Sequence, residues 1–482
     1  MKENISYITF VSNGIEYIYD RYSNEFLLTN GIPVKEILDN KDTLKELDVL
    51  QPFSLPSLSV SQKLSLNEKI TYKLNNYINR LCFVTTEACN LRCKYCVYSG
   101  SYANMRQHNN SHRMTFENAK KAIDLFLKHS SLSQVRTISF YGGESLIEYE
   151  FIQSVINYTK GLNSQIQFAV STNLTLLTED MMQFLVENKV LLTVSIDGPQ
   201  EIHDLFRVTV NGSPTHEKVI TNLHKIRVYN EEYFKSRIVF NVVLVPHEKE
   251  LSILDDYFNT PLFDGVPMHS FTVLSLNGEE NQLYNKYDYP QFLSRFEDYS
   301  LTKFINRHID GCTDFSDMKI SYNYHIRLIK RIYFRKTQRI NYYDYYWPNG
   351  ICILGLRSLF VTSSGVIYPC ETLYDLKELS IGNVTQGINT KLICDVTRQY
   401  CNEGIEHCRD CWAYQFCAHC FSSVFTRNKY SHKKLLRNCA LTKKETIDGF
   451  KIFTHIYSQN NHAFDYLDGI GPDEIDKYMI AD

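Results

Sequence analysis

The sequence predicts an α/β fold, a partial (β/α)6 TIM-like barrel, on three observations. Between Leu81 and Leu276, strand-like apolar runs alternate with helical periodicities, the pattern of parallel strands joined by crossover helices. The runs before and after this stretch break the alternation, so they read as separate units. Polar, glycine-containing and cysteine-containing motifs recur where strand-like runs end, and in parallel sheets ligands collect at the carboxyl ends of strands.

Residues 4–30 read as short strands: ISYITFV, a turn at Ser12, Asn13 and Gly14, then IEYIYD and EFLLT. Asn-Gly between alternating apolar runs is a hairpin signal. A helical pattern follows at 33–48, with Pro33 placed for a first turn. Residues 1–75 are thus expected to form a small separate α+β (winged-helix-like) module, with 52–75 as its linker. The barrel is expected over 76–280. Its strands fall at 81–86, 135–141, 166–172, 190–196, 236–245 and 268–276, and its helices at 115–129, 149–160, 178–188, 214–229 and 247–259. Thr115, Thr178 and Thr215 or Ser213 are expected N-caps. A bridging region at 281–350 is rich in Tyr, Asn and Arg and reads as amphipathic helix; a cysteine-rich domain at 351–445 and a helical tail at 446–482 complete the chain.

With 44% hydrophobic and 22% charged residues, the 482-residue chain has the composition of a globular protein. A formal charge of −3 lacks the basic footprint that nucleic acid requires. The N-terminus has no apolar signal region and no run of about eighteen apolar residues occurs, so a cytoplasmic protein without a membrane partner is expected. In that reducing compartment, 14 cysteines read as ligands rather than disulfides. Ten are patterned: Cys89, Cys93 and Cys96, then Cys352, Cys370, Cys408, Cys411, Cys417, Cys420 and Cys439. Cys82, Cys312, Cys394 and Cys401 show no spacing and read as small buried hydrophobes.

CNLRCKYC places three thiols on one short loop after the first barrel strand. They suit three corners of a cubane 4Fe–4S cluster and leave the fourth iron open to a small molecule. Zinc would draw four ligands from two knuckles, and no second knuckle is near in sequence. Tyr95, inside the motif, is expected to pack against cluster or ligand. The second strand ends in YGGES, where glycines permit close backbone approach and Glu144 offers a carboxylate to an amino group. The third ends at Ser171, Thr172 and Asn173; the fourth runs from Ser195 through SIDGP to His203, Asp204 and Arg207. An arginine there suits a ligand carboxylate.

CNLRCKYC, YGGES, STN and SIDGPQEIHDLFR, in this order, resemble the radical S-adenosylmethionine (radical SAM) enzymes. The resemblance implies a cluster whose open iron is chelated by the methionyl amino and carboxylate groups, and reductive cleavage to a 5′-deoxyadenosyl radical that abstracts hydrogen from substrate. It assigns Glu144 to the methionyl ammonium and Arg207 to its carboxylate. Ser171, Asn173 and Ser195 would then contact ribose or carboxylate. GGES stands where GGEP is commoner, with the carboxylate retained. The later cysteines, with Gly365 five residues before Cys370, resemble the SPASM extension, which carries two auxiliary 4Fe–4S clusters. That pattern assigns Cys408, Cys411, Cys417 and Cys439 to one cluster and Cys352, Cys370 and Cys420 to the other. The second set lacks one thiol: either its iron is open to a substrate thiolate, or Cys312, Cys394 or Cys401 completes it.

The N-terminal run resembles leader-recognition modules of ribosomal-peptide maturases, which add an extended peptide to a sheet edge. The expected function is a SPASM-class maturase joining a Cys sulfur to an acceptor carbon in a ribosomally made precursor peptide. Glu371 is a candidate general base. An electron donor such as flavodoxin or ferredoxin is the second expected partner. Carbon–carbon crosslinking and sulfatase maturation (formylglycine formation) are the alternative enzyme readings; a zinc or iron–sulfur scaffold or electron carrier is the non-radical one.

Overall fold

A computed structural model describes residues 7–21, 24–29, 31–32, 37, 65–99, 106–162, 165–266, 268–273, 288–336, 352–374, 376–408, 411–417, 419–426 and 429–469. The helix expected at 33–48 lies almost wholly outside the described residues, as do the ends of the bridging region and residues 470–482 of the tail.

The chain opens with an antiparallel meander of β1 (Tyr7–Ser12), β2 (Ile15–Asp20) and β3 (Glu25–Leu28). Asn13 at φ 52° and Gly14 at φ 76° make the first turn. Two consecutive left-handed residues match the twist of a two-residue hairpin. The expected linker is partly a helix, α1 (Leu66–Asn76), opened by a capping box between Ser65 and Glu68. Leu66, Ile70 and Leu74 recur every four residues and are buried in the main core, which is why this segment folds.

The barrel follows in order: β4 (Arg80–Thr86), α2 (Phe116–His129), β5 (Thr137–Gly142), α3 (Tyr149–Lys160), β6 (Gln167–Thr172), α4 (Glu179–Glu187) and β7 (Leu191–Ser195). Then come α5 (Gln200–Phe206), α6 (His216–Tyr229), α7 (Glu231–Arg237), β8 (Ile238–Leu244), α8 (Ile253–Phe258) and β9 (Met268–Val273). All neighbouring pairs from β4 to β9 are parallel. Thr115 and Thr178 cap their helices through side-chain oxygens. Thr215 holds the cap position of α6, but its hydroxyl donates to the Arg207 carbonyl instead. The helix expected at 247–259 shrinks to α8, because Glu248, Lys249 and Glu250 are exposed and nothing apolar anchors that turn.

The bridging region contributes α9 (Tyr289–Ile309) and α10 (Lys319–Tyr333). Then β10 (Leu359–Val361), β11 (Val366–Tyr368), β12 (Gly382–Asn383) and β13 (Gly387–Ile388) lead to α11 (Thr390–Cys408), α12 (Phe421–Val424), the short pair β14 (Phe425–Thr426) and β15 (Lys429–Tyr430), and α13 (His432–Gln459). The sheet exceeds the six strands expected: β10 pairs parallel with β4, and β11 to β13 extend it antiparallel to ten strands. The cysteine-rich domain thereby covers the unpaired edge that β4 would otherwise present.

The N-terminal sheet packs on the C-terminal half: Phe450 of α13 lies 5.6, 4.8 and 4.9 Å from the rings of Phe10, Tyr19 and Phe26. Those residues share one core with Trp412, Phe416 and Phe453. The division at 445 falls inside α13, one continuous helix of 28 residues. Among the described residues no helix is long and apolar enough to cross a membrane.

Strand alternation sorts the barrel into two faces. Phe83, Phe140, Val170 and Val194 face the helices and are fully buried. Ala169, Ser171, Thr193, Ser195 and Asn241 face inward and are half-buried. On β4 and β5 the same face carries Cys82, Val84 and Tyr141, which pack with Phe360 and Tyr368 of β10 and β11.

Candidate functional site

Cys89, Cys93 and Cys96 lie on the loop leaving β4. Backbone amides of Leu91 and Tyr98 donate to the sulfurs of Cys89 and Cys96, each at 3.4 Å. The loop is strapped to the segment after α5, with Arg92 N–H on Val208 O at 2.7 Å and Lys94 N–H on Phe206 O at 3.0 Å. Burial pushes the Cys89 and Cys93 thiols up to about 12, with the neighbouring triad thiols adding to it. Burial also raises Cys96, against the pull of the Tyr98 amide and of Arg207, Arg106 and Arg92. Ligation must therefore expel protons, and it favours higher pH.

β5 is drawn against this loop by glycine. Gly143 N–H donates to Thr86 O and Glu144 N–H to Ala88 O, both at 2.9 Å. A Cβ on Gly143 would sit 2.0 Å from Ala88 O, and one on Gly142 2.2 Å from Thr86 O. Glu144 is buried and accepts from Thr172 Oγ1 (2.7 Å), Asn173 N–H (2.7 Å) and Leu146 N–H (3.0 Å). Burial raises its carboxyl, opposed by those donors and by Arg207. Asn173 reaches the loop itself, donating through Nδ2 to Asn90 Oδ1 at 3.0 Å, with Cys89 Sγ at 3.9 Å.

The fourth strand supplies a residue that sequence reading passed over as part of a turn. Asp197 Oδ2 accepts from Arg207 Nε at 2.8 Å and from the Tyr95 hydroxyl; Oδ1 accepts from Val243 N–H at 3.0 Å. Arg207 lies 5.3 Å over the Tyr95 ring and points Nη1 at Cys93 Sγ, 3.8 Å away. Tyr95 is buried against Phe206. His203 and Asp204 have structural duties: His203 bridges Asp197 N–H and Thr215 Oγ1, and Asp204 accepts the amides of Thr215 and His216. Ser171 and Ser195 are half-buried near the carboxyl ends of β6 and β7.

The C-terminal thiols separate into two neighbourhoods. Burial raises Cys417 to about 12, and Cys408, Cys439 and Cys411 are the charges beside it. Burial raises Cys439 to about 11, again beside Cys408 and Cys411. Cys370 rises to about 12 through burial, then Glu371, Cys420 and Cys352; Cys352 rises to about 11 through burial and Cys420. Three of the four unpatterned thiols are the candidates to complete the three-thiol set. Cys394 sits beside Thr71 of α1 and Arg398, and Cys401 is buried in the main core. Cys312 follows α9, remote in topology from the group around Cys370.

Among the described residues no three His, Cys, Asp or Glu side chains converge tightly enough for a single ion. Thiolates around one zinc stand ~3.8 Å apart, from tetrahedral Zn–S bonds. A cubane binds each thiolate to a different iron, so its thiolates stand further apart than those of a single zinc ion.

Glu371 joins the second group to the barrel. Arg80, the first residue of β4, donates from Nη2 to Glu371 Oε2 at 2.8 Å and from Nε to Ser358 at 3.2 Å. Arg106 donates to the Glu371 carbonyl, with its guanidinium 4.6 Å from the Tyr374 ring. The three-thiol group therefore flanks the amino end of β4, while Cys89 follows its carboxyl end.

Residues 83–257, from β4 into α8, match the Radical SAM superfamily. The cysteine-type anaerobic sulfatase-maturating enzyme of Clostridium novyi is 25% identical over 355 residues, 68% of this chain and 83% of that protein. The radical SAM cyclopropyl synthase TigE of Paramaledivibacter caminithermalis is 26% identical over 243 residues, 48% of this chain and 46% of that one. Native anSMEcpe with bound AdoMet and Cp18Cys peptide has the same fold, with a TM-score of 0.53 at 21% identity over 82% of this chain and 99% of its own.

Proposed function

We propose that this radical SAM enzyme, whose cofactors are S-adenosylmethionine and a 4Fe–4S cluster, modifies a peptide by joining a cysteine sulfur to a carbon of an acceptor residue. One observation carries this reading. The thiols beyond the barrel divide into a set of four and a set of three, and the three, with Glu371, adjoin β4 at the end away from Cys89. A cubane on Cys352, Cys370 and Cys420 has one iron without a protein thiol, which suits a peptide thiolate. The set of four completes its cubane unaided.

When bound, the cofactors supply the 5′-deoxyadenosyl radical, which takes a hydrogen atom from the acceptor carbon. The remaining work belongs to the chain. Cys89, Cys93 and Cys96 hold the radical cluster. Glu144 is prepared by its three donors to receive the methionyl ammonium, and Asn173, Ser171 and Ser195 face the nucleoside and carboxylate. Arg207 stands beside them. Thioether formation removes two hydrogens from the peptide; one leaves as the abstracted atom and the thiol proton can pass to Glu371, held by Arg80. Cys352, Cys370 and Cys420, and Cys408, Cys411, Cys417 and Cys439, would hold auxiliary clusters able to pass the second electron to a carrier of the ferredoxin or flavodoxin kind. The β1–β3 sheet is the element available for leader capture by strand addition.

The test is mass spectrometry of a Cys-containing precursor peptide after anaerobic turnover with S-adenosylmethionine and dithionite. Loss of two hydrogens, with a thiol no longer alkylated by iodoacetamide, is expected. A second reading is favoured by the length over which the Clostridium novyi sulfatase-maturating enzyme aligns: conversion of Cys to an aldehyde, detected by hydrazide capture. That product would replace the thioether assignment.

A further inference from the structure

Arg207 was expected to face the methionyl carboxylate, yet two of its three nitrogens are committed elsewhere. Nε donates to Asp197 Oδ2 at 2.8 Å and Nη1 points at Cys93 Sγ at 3.8 Å. The Asp197 and Arg207 side chains are 0% and 8% exposed. A buried guanidinium without its carboxylate is strongly destabilising, so the pair moves as a unit. Asp197 is itself fixed from three directions. Val243 N–H of β8 holds Oδ1 at 3.0 Å, the Tyr95 hydroxyl from the cluster loop holds Oδ2, and its own N–H donates to His203 Nδ1 at 3.3 Å. The guanidinium face is closed by the Tyr95 ring at 5.3 Å.

We propose that Asp197 is a positioning residue for the radical cluster, holding Arg207 against the Cys93 sulfur and thereby setting the potential at which that cluster is reduced. The physics is that of any iron–sulfur site: N–H donors and positive charge at a cysteine sulfur stabilise the reduced, more negative cluster and raise its potential. Arg207 brings both to Cys93. Lysine could not replace it, because a point charge cannot span a carboxylate and a sulfur as the planar fork does.

The test uses the full chain reconstituted anaerobically, with iron content checked for each variant. Redox titration is followed by electron paramagnetic resonance. Subtracting the spectrum of a chain with Cys89, Cys93 and Cys96 replaced by Ala isolates the radical cluster. Arg207→Met is expected to lower the midpoint by about 59 mV, a tenfold change in the reduced-to-oxidised ratio for one electron. Asp197→Asn is the decisive variant. Removing an anion would by charge alone raise the midpoint, whereas releasing Arg207 from Cys93 lowers it. A lowered midpoint supports the proposal; a raised or unchanged one overturns it. The double variant should match Arg207→Met alone, and a separate additive shift would show that Asp197 acts through its own charge. If Asp197→Asn loads no iron, Arg207→Lys decides: a lowered midpoint is expected, and a wild-type value overturns the proposal.

Discussion

Gly143 shows how one missing atom places the site. Its Cβ would lie 2.0 Å from Ala88 O, backbone that cannot move without moving Cys89. Gly143→Ala should therefore part β5 from the cluster loop at a cost of about 1–3 kcal/mol. We expect a lower melting temperature and sub-stoichiometric iron in the radical site; full iron loading would show that the loop is held independently of this approach. At the same scale, Glu144, Asn173 and the cysteine triad were readable because each ends a strand-like run. Asp197 was not. In sequence it is one residue of SIDGP, indistinguishable from an ordinary turn aspartate, and only folding brings it to Arg207, Tyr95 and Val243.

At the scale of elements, α13 is the keel of the C-terminal half. It carries Cys439 near its start and Phe450 and Phe453 in its middle, so one helix serves both a thiol group and the N-terminal sheet. Phe450→Ala removes a ring that touches Phe10, Tyr19, Phe26, Trp412 and Phe416. It should cost about 3–5 kcal/mol, as large-to-small core changes do. Limited proteolysis should then cut the β1–β3 sheet first. Unchanged protease resistance there would show that the sheet is held by other contacts. Local pattern announced the Asn-Gly hairpin and the capped helices α2 and α4. It missed α1, whose four-residue apolar spacing is short and flanked by serines. It also missed α7, a two-turn helix whose start is capped by Asn230.

For the whole molecule, acid sensitivity follows from histidines buried as neutral rings. Burial lowers His308, His325 and His247 to about 4, and burial with the Arg207 charge lowers His203 to about 3. In the unfolded chain these rings bind protons near pH 6.5. The unfolded state therefore takes up more protons on acidification, and stability falls as pH drops from about 6.5 towards 4. Each fully buried ring contributes on the order of 3 kcal/mol at the acid end. The urea midpoint should be lower at pH 5 than at pH 7, and less so in His308→Gln. A midpoint constant across that range would contradict the assignment.

The parallel α/β class, the triad loop and the motifs at the strand ends are determined by sequence alone, because hydrophobic period and short-range spacing are local properties. The division of the later cysteines into a set of four and a set of three is what the SPASM resemblance implies. Tertiary structure alone decided three matters. It joined the Cys370 turn to β4 through Arg80 and Glu371, residues 291 apart in the chain. It packed Cys82 and Val84 of β4 against Phe360 and Tyr368 of the cysteine-rich domain on the inner face of the sheet. And it brought Arg207 to Asp197 and Cys93. Each is a contact between residues distant in sequence, specified by packing and burial rather than by any local pattern.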